Sequence, residues 1–206
     1  MARQPDSRAA YFDAQFANDI DLWRYRTSWY EARKRALTLA ALPRARYRYG
    51  FEPGCATGEL SAALARRCER LLCADFAPHA IDAARRRLEP FPHVQVEALV
   101  MPHDWPSQRF DLVVVSEIAY YLDHDACHAL ADRACAALDA DGTLLCCHWR
   151  HGGESWMLDG ATVGQAFAAA ALRASLHRVV HMEDADFSLD TWSRDPVSVA
   201  RRERQA

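Results

Sequence analysis

The amino-acid sequence predicts an α/β fold, with helices on both faces of a mainly parallel sheet, on three observations. Short β-branched or leucine-rich runs alternate with alanine- and arginine-rich stretches of helical spacing, the pattern that packs crossover helices on a parallel sheet. The first run passes into its helix through a loop carrying Gly54 and Gly58. The 206 residues, 50% hydrophobic and 26% charged, suffice for one domain with a real core.

In chain order, sheet segments are expected at residues 49–52, 71–75, 94–99 and Phe110–Ser116, where β-branched, aromatic and leucine side chains gather. A fifth, residues 143–148, follows a turn at Asp141-Gly142. Crossover helices are expected at 59–68, 78–88 and 124–138; the second opens on Pro78, whose missing N–H costs nothing at a first helical position. A helix at 161–172 precedes two runs, 178–182 and 186–192, which read as an antiparallel hairpin turning at Asp184 and closing the sheet edge. Ahead of the first strand, Ser28 and Glu31 have capping-box spacing, so a helix should start at Trp29 and stop before Pro43. Residues 11–25 are left as an aromatic-rich lead-in. The chain thus divides into an N-terminal helical lid over 1–45, a core over 46–196 and a solvated or frayed tail over 197–206.

A net charge of −3 argues against nucleic acid as a partner. The first residues lack the apolar core of a secretory signal, and no later run approaches the roughly 20 apolar residues of a membrane span, so no membrane association and a cytoplasmic location are expected. The seven cysteines are odd in number and form no Cys-x-x-Cys pair, which argues against a disulfide framework or zinc ribbon and for small buried hydrophobes. Arg85-Arg86-Arg87 reads as a solvated helix face.

The segment Phe51-Glu52-Pro53-Gly54-Cys55-Ala56-Thr57-Gly58 runs from strand to helix, where open α/β sheets bind ligands. Its glycines are spaced Gly-x-x-x-Gly, whereas a dinucleotide site uses Gly-x-Gly-x-x-Gly to seat a pyrophosphate on the helix N-terminus. Glu52 at the loop entrance would repel a phosphate and suits a ligand with an ammonium and a sulfonium cation. S-adenosylmethionine is such a ligand, and Gly54 would let it lie against bare backbone. Asp75, closing the second strand, is placed to accept hydrogen bonds from both ribose hydroxyls. The bland alternative is that the glycines only permit a tight turn and Asp75 only caps the next helix.

Through Trp23-Arg24-Tyr25-Arg26-Thr27-Ser28-Trp29-Tyr30-Glu31, the glycine loop as far as Ser61, Phe110 to Leu122, and His148-Trp149-Arg150-His151, the sequence resembles the class I S-adenosylmethionine-dependent methyltransferases. Among these it is similar to the NodS-like (nodulation protein S) family over most of its length. The resemblance implies a Rossmann-like sheet of seven strands with an antiparallel last strand, S-adenosyl-L-methionine as donor and S-adenosyl-L-homocysteine as product. It also implies an amine acceptor, since the family's namesake methylates the free amino group at the non-reducing end of a deacetylated chitooligosaccharide. The expected cofactor-binding set is Arg26, Tyr30, Glu52, Gly54, Cys55, Ala56, Gly58, Asp75, Phe76, Met101 and Ser116. Relatives often place an acid after the third strand for the adenine amino group. Here Glu97-Ala98-Leu99-Val100-Met101 offers none at that point, leaving backbone and Met101 to hold adenine, with Asp104 a less favoured substitute.

Methyl transfer is an in-line displacement at a sulfonium carbon, so an attacking amine must be uncharged and some group must take its proton. Glu117, after an apolar run, should emerge at the carboxyl edge of the fourth strand, and His148 closes the fifth; both are candidate catalytic residues. Glu117 could equally be an ordinary turn residue. His148 and His151 lack a third ligand at a recognisable spacing, so no metal is expected. Arg150 and His151 could line the acceptor, together with Trp23, Trp29, Tyr120 and Tyr121, whose flat faces and polar tips suit stacking on sugar rings. Tyr30 could close over the cationic donor, and Arg26 needs an anion, either the donor's methionine carboxylate or a surface acid. The expectation is a small-molecule N-methyltransferase acting on an amine or amino sugar, a monomer or weak homodimer. An O-methyltransferase, a nicotinamide-dependent oxidoreductase and a non-catalytic cofactor-binding protein are the rivals.

Overall fold

The computed structural model describes residues 5–151 and 153–205. In chain order its elements are α1 (Pro5–Asn18), α2 (Trp29–Ala40), β1 (Tyr47–Pro53), α3 (Glu59–Leu64), β2 (Cys68–Asp75), α4 (Pro78–Leu88), β3 (Val94–Ala98), β4 (Phe110–Ser116), a 3₁₀ turn (Ala119–Tyr121), α5 (His124–Ala136), β5 (Leu138–Trp149), α6 (Gly160–Arg173), β6 (His177–Glu183), β7 (Phe187–Ser193) and α7 (Val199–Arg202). The strands form one sheet in the order β3-β2-β1-β4-β5-β7-β6. β7 runs antiparallel to both its neighbours, and the remaining pairs are parallel. The strand order reverses between β1 and β4, leaving a crevice at the carboxyl ends of the central strands.

Strand periodicity divides the core between the two faces. Val113 and Val115 join Phe51, Phe110, Leu130 and Phe167 on the α5–α6 face, while Leu112 and Val114 join Tyr47, Leu64, Leu71 and Leu145 on the other. Because both faces are covered, Phe110 through Val115 are buried without interruption. All seven cysteines are free and buried, as the spacing predicts.

The termini of several elements differ from expectation, for local reasons. α3 ends at Leu64 because the parallel register pairs Tyr47 with Cys68, drawing Cys68 into β2. β5 begins at Leu138 and runs through Asp141-Gly142, so that the expected turn is an irregularity inside the strand, where the register with β4 slips between Phe110 and Leu112. The hairpin turn is closed by Asp184 N donating to the Phe187 carbonyl at 2.9 Å. In the expected tail, α7 is a single helical turn held by Arg202, which reaches Asp195 at 2.9 Å.

The N-terminal segment holds two further differences. The lead-in contains helix α1, whose Phe12 and Phe16 lie one turn apart and bury themselves with Ala77 and Ala80 at the start of α4. Ala77 supplies no side-chain cap to α4; Asp13 of α1 does so instead, accepting the His79 N–H at 2.9 Å. α2 begins at Trp29 as expected, but without a capping box: Ser28 makes no side-chain cap and Glu31 pairs with Lys34.

Asp111 illustrates how tightly the central strands are joined. It is 2% exposed and accepts the Arg48 N–H and the Tyr49 N–H, each at 2.8 Å, where the β1–β4 ladder has not yet begun. Asp111→Ala should therefore lower stability by about 2–4 kcal/mol, seen in thermal melts as a Tm reduced by roughly 5–15 °C.

Candidate active site

Left-handed backbone shapes the loop after β1: Gly54, Ala56 and Gly58 have φ of 74°, 46° and 82°. The Gly54 and Cys55 N–H groups donate to the Ala74 carbonyl at 2.7 and 2.9 Å, tying the loop to the end of β2. Asp75 completes the tie. Its Oδ2 accepts the Ala56 N–H at 2.9 Å, and its Oδ1 accepts Phe76 and Ala77 N–H at 2.8 and 3.0 Å. Burial pushes the Asp75 carboxyl up, and these amides oppose the rise. The bare backbone at Gly54 is explained by a protein contact, since a Cβ there would lie 2.0 Å from Ile118 Cγ2.

Above the loop lies a cavity open to solvent at its mouth. Of the expected cofactor residues, Glu52, Gly54, Cys55, Ala56, Asp75, Phe76, Met101 and Ser116 line it, and Trp23, Glu117 and Tyr121 join them. Glu52 is 2% exposed; burial pushes its carboxyl up to about 8, opposed by Ser61 and by the Cys73 thiol, which donates from 3.8 Å. Leu99, Val100 and Met101 form an apolar wall after β3. Asp104 is spent on the backbone there, accepting the Val100 N–H at 2.9 Å, and does not line the cavity.

Glu117 ends β4 with φ 62°, its N–H bound to the Cys147 carbonyl at 2.9 Å, and this turn of the backbone presents it to the cavity. Its Oε2 accepts Lys34 Nζ at 3.0 Å. Burial pushes the Glu117 carboxyl up, Lys34 pulls it down, and Glu31 adds to the rise.

Eight expected residues lie outside the cavity lining. Arg26 is on the outer surface, its Nε 2.8 Å from Glu59, which also holds Arg87 at 2.9 Å. Gly58 packs against α4, with Ala84 Cα 3.3 Å from where a Cβ would be. Tyr30 lies beneath Lys34 and against Phe187. Trp29 is 78% exposed, and Tyr120 is buried behind Tyr121. Arg150 and His151 pair with Glu183 and Asp186 on the β6–β7 hairpin. His148 is corrected most strongly. Strand alternation points it to the α6 face, where it packs on Phe167, both ring nitrogens lack a partner, and burial lowers its pKa to about 3. A base that weak does not accept a proton at neutral pH. Among the described residues, no group of metal-ligating side chains comes together.

Several lining residues escaped the sequence. Phe12 and Phe16 come from α1, and Tyr25 from the connection to α2, where its carbonyl accepts Arg35 at 2.6 Å. Glu31, Lys34 and Thr38 recur at helical spacing along one face of α2 and are all buried. That polar stripe was readable as an inward face, but Glu31 was read as a cap.

The sheet order, the left-handed glycine loop after β1 and the acid closing β2 together define a class I S-adenosylmethionine-dependent methyltransferase. Comparison with known proteins agrees. The family described as "Nodulation protein S (NodS)" matches residues 8–186, and the chain belongs to that family. Nodulation protein S of Bradyrhizobium diazoefficiens is 33% identical over 141 residues, covering 64% of this chain and 68% of that protein. The solved N-methyltransferase NodS from Bradyrhizobium japonicum WM9, in complex with S-adenosyl-L-homocysteine, is 26% identical with a TM-score of 0.79, over 92% of this chain and 98% of that one. A candidate methyltransferase from Pseudomonas syringae is 51% identical with a TM-score of 0.71, over 81% of this chain and 99% of that one. No helix among the described residues is long and apolar enough to cross a membrane.

The buried His148 yields a stability prediction. With a folded pKa near 3 against 6.5 unfolded, the unfolded chain binds more protons between those values. Stability is therefore intact above pH 6.5 and is lost as the pH falls, by about 5 kcal/mol at pH 3. Urea midpoints across that range should be markedly flatter for His148→Leu, and its turnover at neutral pH should match the wild type.

Proposed function

We propose that the protein transfers a methyl group from S-adenosylmethionine to an amine on a small molecule, an amino sugar or deacetylated chitooligosaccharide being the preferred class. The observation that carries this is Glu117, a carboxylate at the end of β4 on the wall of the same cavity as the glycine loop. The solved N-methyltransferase relative supports it.

The donor, when bound, supplies an electrophilic methyl on sulfur. Asp75 would accept a ribose hydroxyl on the Oδ2 lone pair that its three amide donors leave free, Glu52 would face the ammonium of the amino-acid end, and the wall of Leu99, Val100 and Met101 would hold adenine. Glu117 binds the acceptor as an ammonium ion and takes its proton, freeing the lone pair. Trp23 and Tyr121 offer flat faces to a sugar ring. The N-terminal segment acts as a lid: Phe12, Phe16, Trp23 and Tyr25 all reach the cavity and exclude water from it.

Incubation with methyl-labelled S-adenosylmethionine and a panel of amino sugars, deacetylated chitooligosaccharides, simple amines and phenols tests the acceptor class. Label is expected on nitrogen; label confined to hydroxyls would overturn the amine assignment. The donor side is tested by calorimetry with S-adenosylhomocysteine at pH 7, in buffers of different ionisation enthalpy. The carboxyl of Glu52, pushed up to about 8 in the free site, is mostly protonated at that pH. Arrival of an ammonium favours the ionised form, so binding should release close to one proton. Glu52→Gln should abolish the release and weaken binding by about tenfold; a wild-type enthalpy independent of buffer would show that Glu52 does not meet the ammonium.

A further inference from the structure

Lys34 is a cation on the cavity wall that binding the donor does not call for. It is 5% exposed, with Nζ 3.0 Å from Glu31 Oε1, 3.0 Å from Glu117 Oε2 and 4.8 Å from the Tyr30 ring centroid. Burial alone would lower its pKa, but Glu117 and Glu31 together hold its ammonium charged well above the usual lysine range. Two acids thus flank one lysine. Lys34 holds Oε2 of Glu117, and the backbone N–H of Trp149 also stabilises the carboxylate.

The remaining groups facing Glu117 are Tyr25 from the α1–α2 connection, Tyr30 from α2, Tyr120 and Tyr121 from the 3₁₀ turn and Cys147 from β5. Burial pushes all five up, so each is neutral at pH 7. Arg35 reaches the cavity but donates to the Tyr25 carbonyl. Lys34 is therefore the cation that opposes the effect of burial on Glu117.

We propose that Lys34 is a positioning residue that favours the ionised form of Glu117 and fixes its carboxylate on the cavity wall, with Glu31 offsetting enough of the lysine charge that the site accepts a cationic amine. This deepens the amine assignment above and rests on it. The acceptor arrives as an ammonium ion held by Glu117. Its proton passes to that carboxylate, leaving a neutral amine. The nitrogen lone pair then forms the bond to the methyl carbon, and sulfur keeps the electron pair of the bond that breaks. A neutral alcohol gains nothing from this charge arrangement, and it must give up a far more tightly held proton.

The relation can be read without knowing the acceptor. Protein labelled at its glutamate carboxyl carbons and saturated with S-adenosylhomocysteine is titrated by 13C NMR, the Glu117 signal being assigned by its loss in Glu117→Gln. Lys34→Met should raise the Glu117 midpoint by about 1–3 pH units, since an opposite charge at this distance is removed. Glu31→Gln should lower it, and Lys34→Arg should leave it near the wild type. With deacetylated chitooligosaccharide as acceptor, the acidic limb of kcat/KM should move in the same directions, with activity of Lys34→Met recovering at high pH. A merely structural lysine would weaken folding or cofactor binding without moving the midpoint in opposite directions in Lys34→Met and Glu31→Gln. An unmoved midpoint in both variants overturns the proposal even where amines are methylated. Shifted midpoints with no amine methylated would retain the charge relation and sink the amine assignment.

Discussion

Three backbone amides converge on the carboxylate of Asp75, and the geometry of the site hangs from that convergence. A buried carboxylate is expensive without donors, and each of these amides belongs to a segment that needs a fixed place. Ala56 is in the glycine loop, and Phe76 and Ala77 lead into α4. One acid therefore fixes where β1 ends and where the next crossover begins. Its Oδ2 retains one lone pair already oriented for a further donor, so a ligand arriving there meets a site that does not need to rearrange. Through Asp13 and His79 the same region anchors α1, so the wall of the cavity is fastened beside its floor.

The acids around the cavity divide by what balances them. Glu52 has a thiol for company and no cation, so in the free protein burial favours its neutral form. Glu117 has Lys34, which opposes that tendency. Two carboxyl groups facing one space thus differ in their surroundings: burial raises both, and only Glu117 has a cation opposing the rise. A donor that brings an ammonium and an acceptor that brings another would be served by different acids under one roof.

The sheet was legible because its signals are local and redundant. Phe110 to Val115 is apolar throughout, the glycine loop joins a strand to a helix, and the Arg178 to Trp192 region reads as a hairpin. Loop residues of the site were legible for the same reason, since position after a strand determines where Glu52, Asp75 and Glu117 project. What escaped depends on packing between distant segments. Nothing within Phe12 or Phe16 states that they meet Ala77 and Ala80. Arg26 finds Glu59, an acid far off in sequence, and His148 differs from a cavity residue only by the parity of its place on β5. Lys34 and Glu31 were hidden by a short-range rule that fitted: the spacing of Ser28 and Glu31 suits a cap, and only the buried face of α2 shows that Glu31 had another partner.

Gly54 deserves a wider reading than its place in a donor loop. The space where its side chain would stand belongs to Ile118, the residue after Glu117. The glycine loop and the turn that carries Glu117 are therefore abutting parts of one joint, and a substitution that moves Ile118 is felt in the loop as well as at the carboxylate.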